Sequence, residues 1–141
     1  MGSLALAALP EGALVLVDSA PIIYVLENSA AFGARFRPLF ERQQAGAITF
    51  AVTTITIMEV LTGPLRAGDE SAVRRYRSVL ESWRVVGLTP DIAESAARFR
   101  ADLRLGTADA VQAASALAIG ADALVTHDRD FSRVKALVVL S

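Results

Sequence analysis

The chain has 141 residues, of which 53% are hydrophobic, and a mean hydropathy of +0.44; these values exclude the disordered class and predict one domain over residues 1–141. It has no cysteine and one histidine, which exclude disulfides, thiol nucleophiles and zinc–thiolate sites and disfavour zinc in general. The formal net charge of −1 gives no overall basic signature for a nucleic-acid partner.

The N-terminal segment, MGSLALAALPEG, is apolar but lacks the features of a signal peptide. Its apolar run LALAAL is short, and no basic residue precedes Arg35. No apolar stretch of the sequence approaches the roughly 18 residues that a membrane-spanning helix needs. We therefore expect a cytoplasmic protein without membrane contact, in which residues 1–12 are an extension ahead of the first strand.

Five short apolar runs are predicted to be strands, separated by segments with helical periodicity. They cover residues 14–17, 47–52, 84–88, 123–126 and 136–140. Each run is continuously apolar and does not alternate with polar residues, which is typical of strands buried on both faces. The sequence therefore predicts an α/β protein with a mainly parallel sheet of about five strands covered by helices.

Apolar residues recur at helical spacing in two stripes that we expect to face the core. The first stripe consists of Phe32, Phe36, Leu39 and Phe40, and the second of Val73, Tyr76, Leu80 and Trp83.

Two later helices are indicated by their end signals. The tripeptide TPD at residues 89–91 combines a hydroxyl cap, a proline at the first helical position and an acid that complements the helix dipole. We expect this helix to end at Gly106. Thr107 is predicted to cap the next helix, which should run to Gly120 because glycine favours the left-handed turn that ends many helices.

Four carboxylates lie where an unpaired charge is costly. They are Asp18 after ALVLV, Glu59 within ITFAVTTITIMEV, Asp109 within TADAVQAASAL and Asp128 after ADALVT. A carboxylate at the end of a buried strand or on an apolar helix needs a partner, and the single lysine, Lys135, is beside none of them. The remaining acids resemble ordinary solvated helix faces. The four acids therefore indicate a metal site.

The fold that these strands predict would bring the four acids together. In open α/β sheets, functional groups gather at the carboxyl ends of the strands, where Asp18 and Asp128 lie, and Glu59 and Asp109 are expected near helix starts at the same edge. Two like charges about 4 Å apart repel by roughly 4 kcal/mol at an effective dielectric near 20, and a divalent cation removes that penalty. Oxygen ligands alone favour Mg²⁺ or Mn²⁺, and such a site suits hydrolysis of phosphodiesters.

Four segments in this order resemble the motif blocks of bacterial PIN domains, and in particular of VapC-like toxin ribonucleases from type II toxin-antitoxin pairs. They are VDSAPIIYVLE, ITIMEVLTGPLR, TADAVQAASAL and LVTHDRDF, and the resemblance spans residues 14–131. It implies a three-layer α/β/α fold in which Asp18, Glu59, Asp109 and Asp128 bind Mg²⁺ or Mn²⁺ and carry out endonucleolytic cleavage of RNA. It also implies a homodimer and a cognate antitoxin protein whose C-terminal segment lies along the toxin.

Secondary candidates flank the four acids. Ser19 is expected either to contact a metal-bound water or a phosphate, or to be the N-cap of a helix. Thr126, two residues before the fourth acid, is a candidate for orienting a ligand, although a strand-end threonine needs no such role. Asp130 could replace or assist Asp128, which we favour. His127 is better described as a loop histidine than as a general base.

Structural alternatives remain for single acids, and functional alternatives remain for the whole chain. Asp109 could merely offset a helix dipole and Asp128 could begin a turn, but neither reading explains Glu59 among apolar neighbours. The runner-up functions are a catalytically silent PIN-like domain that binds RNA or protein, and a PIN nuclease of RNA processing. A receiver domain would need an adjacent acidic pair and a late sheet lysine, and a Rossmann domain would need a glycine-rich turn, so both are rejected.

Overall fold

The computed structural model describes residues 9–141, with the exception of the Arg129 side chain. Residues 1–8, most of the predicted N-terminal extension, lie outside the described part. The end of that segment packs on the rest of the protein, because Leu9 is buried in a core cluster and Arg42 Nη2 donates to its carbonyl oxygen at 2.9 Å.

A five-stranded parallel sheet forms the centre of the fold. Its strands are β1 (Leu14–Val17), β2 (Thr49–Thr53), β3 (Arg84–Val86), β4 (Ala123–Val125) and β5 (Val139–Leu140). Their order across the sheet is β3-β2-β1-β4-β5, and every neighbouring pair is parallel. The prediction of a mainly parallel sheet of about five strands is confirmed. The central strand β1 has β2 and β4 on its two sides.

Within residues 9–141, six α-helices and one 3-10 helix connect the strands. They are α1 (Ser19–Leu26), α2 (Gly33–Gln44), α3 (Thr54–Arg66), α4 (Glu70–Glu81), α5 (Pro90–Leu103), α6 (Thr107–Ala118) and the 3-10 helix Arg129–Arg133. Across residues 9–141, none of these helices combines the length and the apolar character that crossing a bilayer requires.

The helices form two layers, one on each face of the sheet. Successive side chains of a strand point to opposite faces, so Val15 and Leu16 of β1 enter different cores. Val15 packs in a cluster with Phe36 of α2 and Leu80 of α4. Leu16 packs in a second cluster with Ala114 of α6 and apolar side chains of α5. The predicted α/β/α architecture is therefore confirmed.

One residue of the two predicted apolar stripes is exposed. Phe36, Leu39 and Phe40 are buried, whereas 38% of the Phe32 surface is exposed. Phe32 precedes the first residue of α2 and has no helical backbone conformation (φ −126°), so it does not share the buried face of that helix.

Strand β1 has its predicted limits, and the other four strands differ from the prediction by one to three residues at one or both ends. Strand β2 begins at Thr49 because Gly46, with φ +79°, and Ala47 belong to the turn that ends α2. Strands β3 and β5 are also shorter than predicted. Before β5, the Leu137 N–H donates to the Val134 carbonyl within a turn, so these residues do not pair with β4.

The ends of α5 and α6 correct two predictions. Helix α5 ends before Arg104, which adopts a left-handed conformation (φ 57°) and turns the buried Leu105 into the core. Gly106 is therefore not the end of α5 but the N-cap residue of α6, and Thr107 is the first residue of α6 instead of its cap. Gly120, with φ +66°, makes the predicted left-handed turn after α6.

Candidate active site

A pocket of about 530 Å³ opens at the carboxyl-terminal edge of the sheet, beyond the ends of β1 and β4. It is lined by Asp18, Ser19, Ala20, Tyr24, Glu59, Ala108, Asp109, His127 and Asp128. The four main acids predicted from the sequence thus surround one pocket. They meet there because parallel strands end at a common edge, where α1, α3 and α6 begin.

Asp18 is held in one orientation by three hydrogen bonds. It follows β1 directly and is the N-cap residue of α1. Its Oδ1 accepts from the Ser19 N–H and from Gln112 Nε2, both at 2.9 Å, and its Oδ2 accepts from Thr126 Oγ1 at 2.8 Å. Only 8% of its surface is exposed. Donors from α1, α6 and the end of β4 therefore satisfy both oxygens of this buried carboxylate.

Gln112 is the centre of a buried polar network beneath the pocket. Besides donating to Asp18, its Nε2 donates to Thr56 Oγ1 at 2.7 Å, and its Oε1 accepts from Thr53 Oγ1 at 2.7 Å. The side chain is fully buried on α6. The sequence interpretation missed Gln112, although a lone glutamine within the alanine-rich segment TADAVQAASAL is a visible signal of a polar network.

Thr126 connects two of the acids. Its Oγ1 donates to Asp18 and accepts from the Asp128 N–H at 2.9 Å. The hydroxyl therefore fixes the distance between the end of β1 and the loop after β4. Thr126 thus contacts Asp18, and its role in orienting a ligand stays a prediction.

Three acids form a cluster at one side of the pocket. One carboxylate oxygen from each of Asp109, Asp128 and Asp130 lies within 4.8 Å of the others. Asp128 also caps the 3-10 helix, accepting from the Asp130 N–H at 2.8 Å. Asp130 is exposed and forms an ion pair with Arg133 at 3.4 Å. The secondary candidate Asp130 is thus beside Asp128 and Asp109, while Asp18 is not part of this closest group.

Asp109 is the most strongly perturbed acid of the pocket. Burial, hydrogen bonding to the Asp128 carboxyl and repulsion from Asp128, Asp18 and Asp130 raise the pKa of Asp109 from 3.8 to about 7. The charged form is disfavoured because the neighbours of this half-buried carboxyl are acids.

Glu59 contributes a second perturbed carboxyl from α3. Burial and, less strongly, repulsion from Asp18 raise the pKa of Glu59, against the opposing effect of a hydrogen bond with the Ser19 side chain. Ser19 is the first residue of α1 and not its N-cap, because Asp18 has that position. The cap role considered for Ser19 is therefore wrong, and its side chain faces the pocket instead.

His127 and Tyr24 give the pocket an aromatic side in addition to its acidic side. Tyr24 Oη lies 2.9 Å from His127 Nδ1, and the ring centroids are 5.5 Å apart in an edge-to-face arrangement. Tyr24 did not stand out in the sequence, because a tyrosine in the apolar segment PIIYVL is typical of a core residue.

The residues of the pocket fit a hard divalent cation. The perturbed carboxyls offer oxygen ligands, and none of the described residues that line the pocket is a lysine or an arginine. Mg²⁺ and Mn²⁺ prefer carboxylate and water ligands, whereas zinc sites are usually built with cysteine or several histidines.

Comparison with known proteins identifies a family. Residues 15–137 match the family model of the PIN domain, which covers most of the chain. No curated protein sequence matches the chain.

Solved structures of low sequence identity share the fold. A toxin-antitoxin complex from Klebsiella pneumoniae matches with a TM-score of 0.69 at 24% identity, covering 90% of this chain and 96% of its own. VapBC2 from Rickettsia felis, bound to a DNA fragment from its promoter, matches with a TM-score of 0.70 at 17% identity, covering 89% and 96%. VapC20 from Mycobacterium tuberculosis, a sarcin-ricin loop cleaving toxin, matches with a TM-score of 0.65 at 22% identity, covering 85% and 94%. Because the family model matches most of its length and the solved structures share its fold, the chain belongs to the PIN domain family.

Proposed function

We propose that the protein is an endoribonuclease that uses Mg²⁺ or Mn²⁺ to hydrolyse RNA phosphodiester bonds. The observation that carries this proposal is the environment of Asp109. Its pKa is raised to about 7 by burial and neighbouring acids, and no lysine or arginine forms an ion pair with it among the residues that the structure describes. A pocket of mutually repelling carboxylates is unfavourable alone and becomes favourable when a cation binds.

In this proposal Asp18, Glu59, Asp109 and Asp128 hold the cation, and Asp130 assists from the rim. Gln112 keeps the Asp18 carboxylate in place with its 2.9 Å hydrogen bond, so the ligand does not reorient when the cation arrives. When bound, a divalent cation supplies the Lewis acidity that phosphodiester hydrolysis needs near neutral pH.

Glu59 is proposed to contribute a ligand from α3. Burial raises the pKa of its carboxyl, and a bound cation would stabilise the ionised form. The Ser19 side chain hydrogen-bonds to the same carboxyl and so orients it within the pocket. Ser19 is therefore proposed to position Glu59 as well as to contact the substrate phosphate.

We further propose that the nuclease is the toxin of a type II toxin-antitoxin pair, acting in the cytoplasm as a homodimer held inactive by a cognate antitoxin. The structural relatives support this reading: one is a toxin-antitoxin complex, and another is described as a loop-cleaving toxin. An acidic pocket on a protein of net charge −1 offers an inhibitor a localised target for a basic side chain.

The first experiment is cleavage of a mixed structured-RNA substrate by purified protein with Mn²⁺ or with EDTA. The matched variants are Asp109→Asn, inside the pocket, and Asp102→Asn, an exposed acid on α5. We expect cleavage to need Mn²⁺, to disappear with Asp109→Asn and to persist with Asp102→Asn. Cleavage that survives Asp109→Asn would indicate a contaminating nuclease. No cleavage at all would favour the silent binding domain.

The toxin assignment has its own test. Controlled expression of the wild-type chain in a bacterial host should arrest growth, expression of Asp109→Asn should not, and co-expression of the adjacent gene product should restore growth. Metal-dependent cleavage without growth arrest would favour an RNA-processing enzyme over a toxin.

A further inference from the structure

We propose that Tyr24, Phe32 and His127 form a platform on which a nucleobase of the RNA stacks, next to the phosphate that the acids receive. We call these three residues the aromatic platform. The inference deepens the proposed ribonuclease function and rests on it for the identity of the ligand.

The three rings are in mutual contact. The centroids of Tyr24 and Phe32 are 4.9 Å apart, those of Phe32 and His127 are 4.8 Å apart, and those of Tyr24 and His127 are 5.5 Å apart. These separations are typical of packed aromatic groups, so the rings form one cluster, in which the ring planes are inclined to one another by 34°, 60° and 80°.

The platform is continuous with the acidic pocket. Tyr24 and His127 line that pocket together with Asp18, Asp109 and Asp128, and Phe32 packs against both of these rings. An RNA phosphate at the acids therefore has an aromatic surface at its side, where the base of an adjacent nucleotide can lie.

Several contacts hold the platform in place. The Tyr24 Oη to His127 Nδ1 hydrogen bond of 2.9 Å fixes both rings, and the fully buried Phe36 packs beneath them. Phe32 is held by its N–H, which donates to Ser29 Oγ at 3.2 Å. A rigid platform loses little conformational entropy when a base stacks on it.

The exposure of Phe32 is the feature that core packing does not explain. Its three partners in the predicted stripe are buried, whereas 38% of the Phe32 surface is accessible. Aromatic side chains beside a phosphate-binding site are the usual means of holding single-stranded nucleic acid, because every base has a π-face that can stack. The platform therefore suits an unpaired base of any sequence.

The test measures RNA binding separately from cleavage. Octameric RNA of randomised sequence carries a central 2-aminopurine, whose fluorescence is quenched on stacking, and Ca²⁺ replaces Mn²⁺ to limit cutting. The variants are Phe32→Ala and Phe32→Tyr. The control is Leu65→Ala, which removes a more exposed apolar side chain at the far end of α3 from the pocket.

We expect Phe32→Ala to weaken binding by roughly five- to 150-fold and to abolish the quenching. Phe32→Tyr and Leu65→Ala should bind and quench as the wild type does. With an octamer that is abasic at every position, wild type and Phe32→Ala should bind alike, because no base is present to stack. A structural defect at Phe32 would instead weaken binding of both RNAs equally, and that result would overturn the proposal.

The outcomes separate the platform from the catalytic proposal. If the wild type quenches 2-aminopurine but cuts no RNA, the platform stands and the nuclease function fails. If the wild type cuts RNA and Phe32→Ala binds and quenches equally well, the nuclease stands and the platform fails. If Phe32→Ala weakens binding of the adjacent gene product and leaves RNA binding unchanged, the rings form a protein-binding surface and the proposal is overturned. Failure of the wild type to bind the RNA pool also overturns it.

Discussion

Asp18 and Asp109 lie in the same pocket but in opposite electrostatic environments. Asp18 is buried and accepts hydrogen bonds from Ser19, Gln112 and Thr126. Asp109 is half-buried beside other acids, and burial and repulsion from these acids raise its pKa to about 7. The comparison shows that the fold stabilises one carboxylate with its own hydrogen-bond donors and disfavours the charged form of the other.

The difference separates two tasks within one site. In the proposed metal site, Asp18 is a ligand that the protein already orients, so its removal should disturb the buried network as well as the pocket. Asp109 is a proposed ligand whose charged form the protein disfavours, so its removal should leave the fold intact. Variants of the two sides should therefore fail in different ways.

The largest expected effect comes from substituting Asp109. Asp109→Asn should lower the rate of RNA cleavage by at least about a hundredfold, since it removes a proposed ligand that carries charge. It should not lower the melting temperature in EDTA, because it removes a repelled carboxylate. Initial cleavage rates and thermal melting of the same preparation measure both effects. An unfolded Asp109→Asn protein would show that this carboxylate is structural and would remove the contrast with Asp18.

The second-largest expected effect comes from removing the hydrogen bonds that Gln112 makes to Asp18 and its neighbours. Gln112→Leu keeps the approximate size of the side chain but deprives Asp18, Thr53 and Thr56 of a partner. The free energy of unfolding should fall by about 1–3 kcal/mol, and cleavage should fall with it. Denaturant unfolding measures the loss.

Ser115→Ala is the matched control on the same helix. Ser115 is as deeply buried as Gln112, but its Oγ has no hydrogen-bond partner in the part of the chain that the structure describes. Its replacement by alanine should leave the stability unchanged or slightly higher. Equal destabilisation by both substitutions would mean that helix packing, and not the hydrogen bonds to Asp18, stabilises this region.

Metal binding should stabilise the folded protein through the Asp109 side. Mn²⁺ at about 100 times its dissociation constant adds roughly 2.7 kcal/mol by mass action, which should raise the melting temperature by several degrees. The increase should be larger at pH 8 than at pH 6, because the pKa of Asp109 is about 7 and cation ligands must be ionised. A pH-independent increase, or one that Asp109→Asn retains, would place the ion elsewhere.

The smallest expected effect is a pH dependence without metal. The pKa of Asp109 is about 7 in the folded state and near 3.8 when unfolded, so the folded state binds more protons between these values. Ionisation of Asp109 therefore lowers the stability of the folded state as pH rises from about 4 to about 7. The melting temperature of Asp109→Asn minus that of the wild type, in EDTA, should increase over this range and level off above it. Asp102→Asn should show no such trend.

The α/β class was predictable because continuously apolar strands and amphipathic helices have local signatures. The apolar run LVLV became the central strand with its predicted limits, and Thr89 caps α5 through a hydrogen bond from the Ile92 N–H. Predictions failed where tertiary contacts decide the backbone. Arg104 is an unfavourable residue for a left-handed turn, yet it adopts one because Leu105 must reach the core.

The sequence by itself determined the class of the fold and the placement of acids after its strands, since both follow from which residues tolerate burial. Only the tertiary structure decided how those acids differ. Asp18 receives donors from Gln112 and Thr126, which are 94 and 108 positions away along the chain, because β1 pairs with β4 and α6 begins at the same edge. The sheet order and the side-chain directions set these distances. The distances decide which carboxylate receives hydrogen bonds from the protein and which one lies beside other acids.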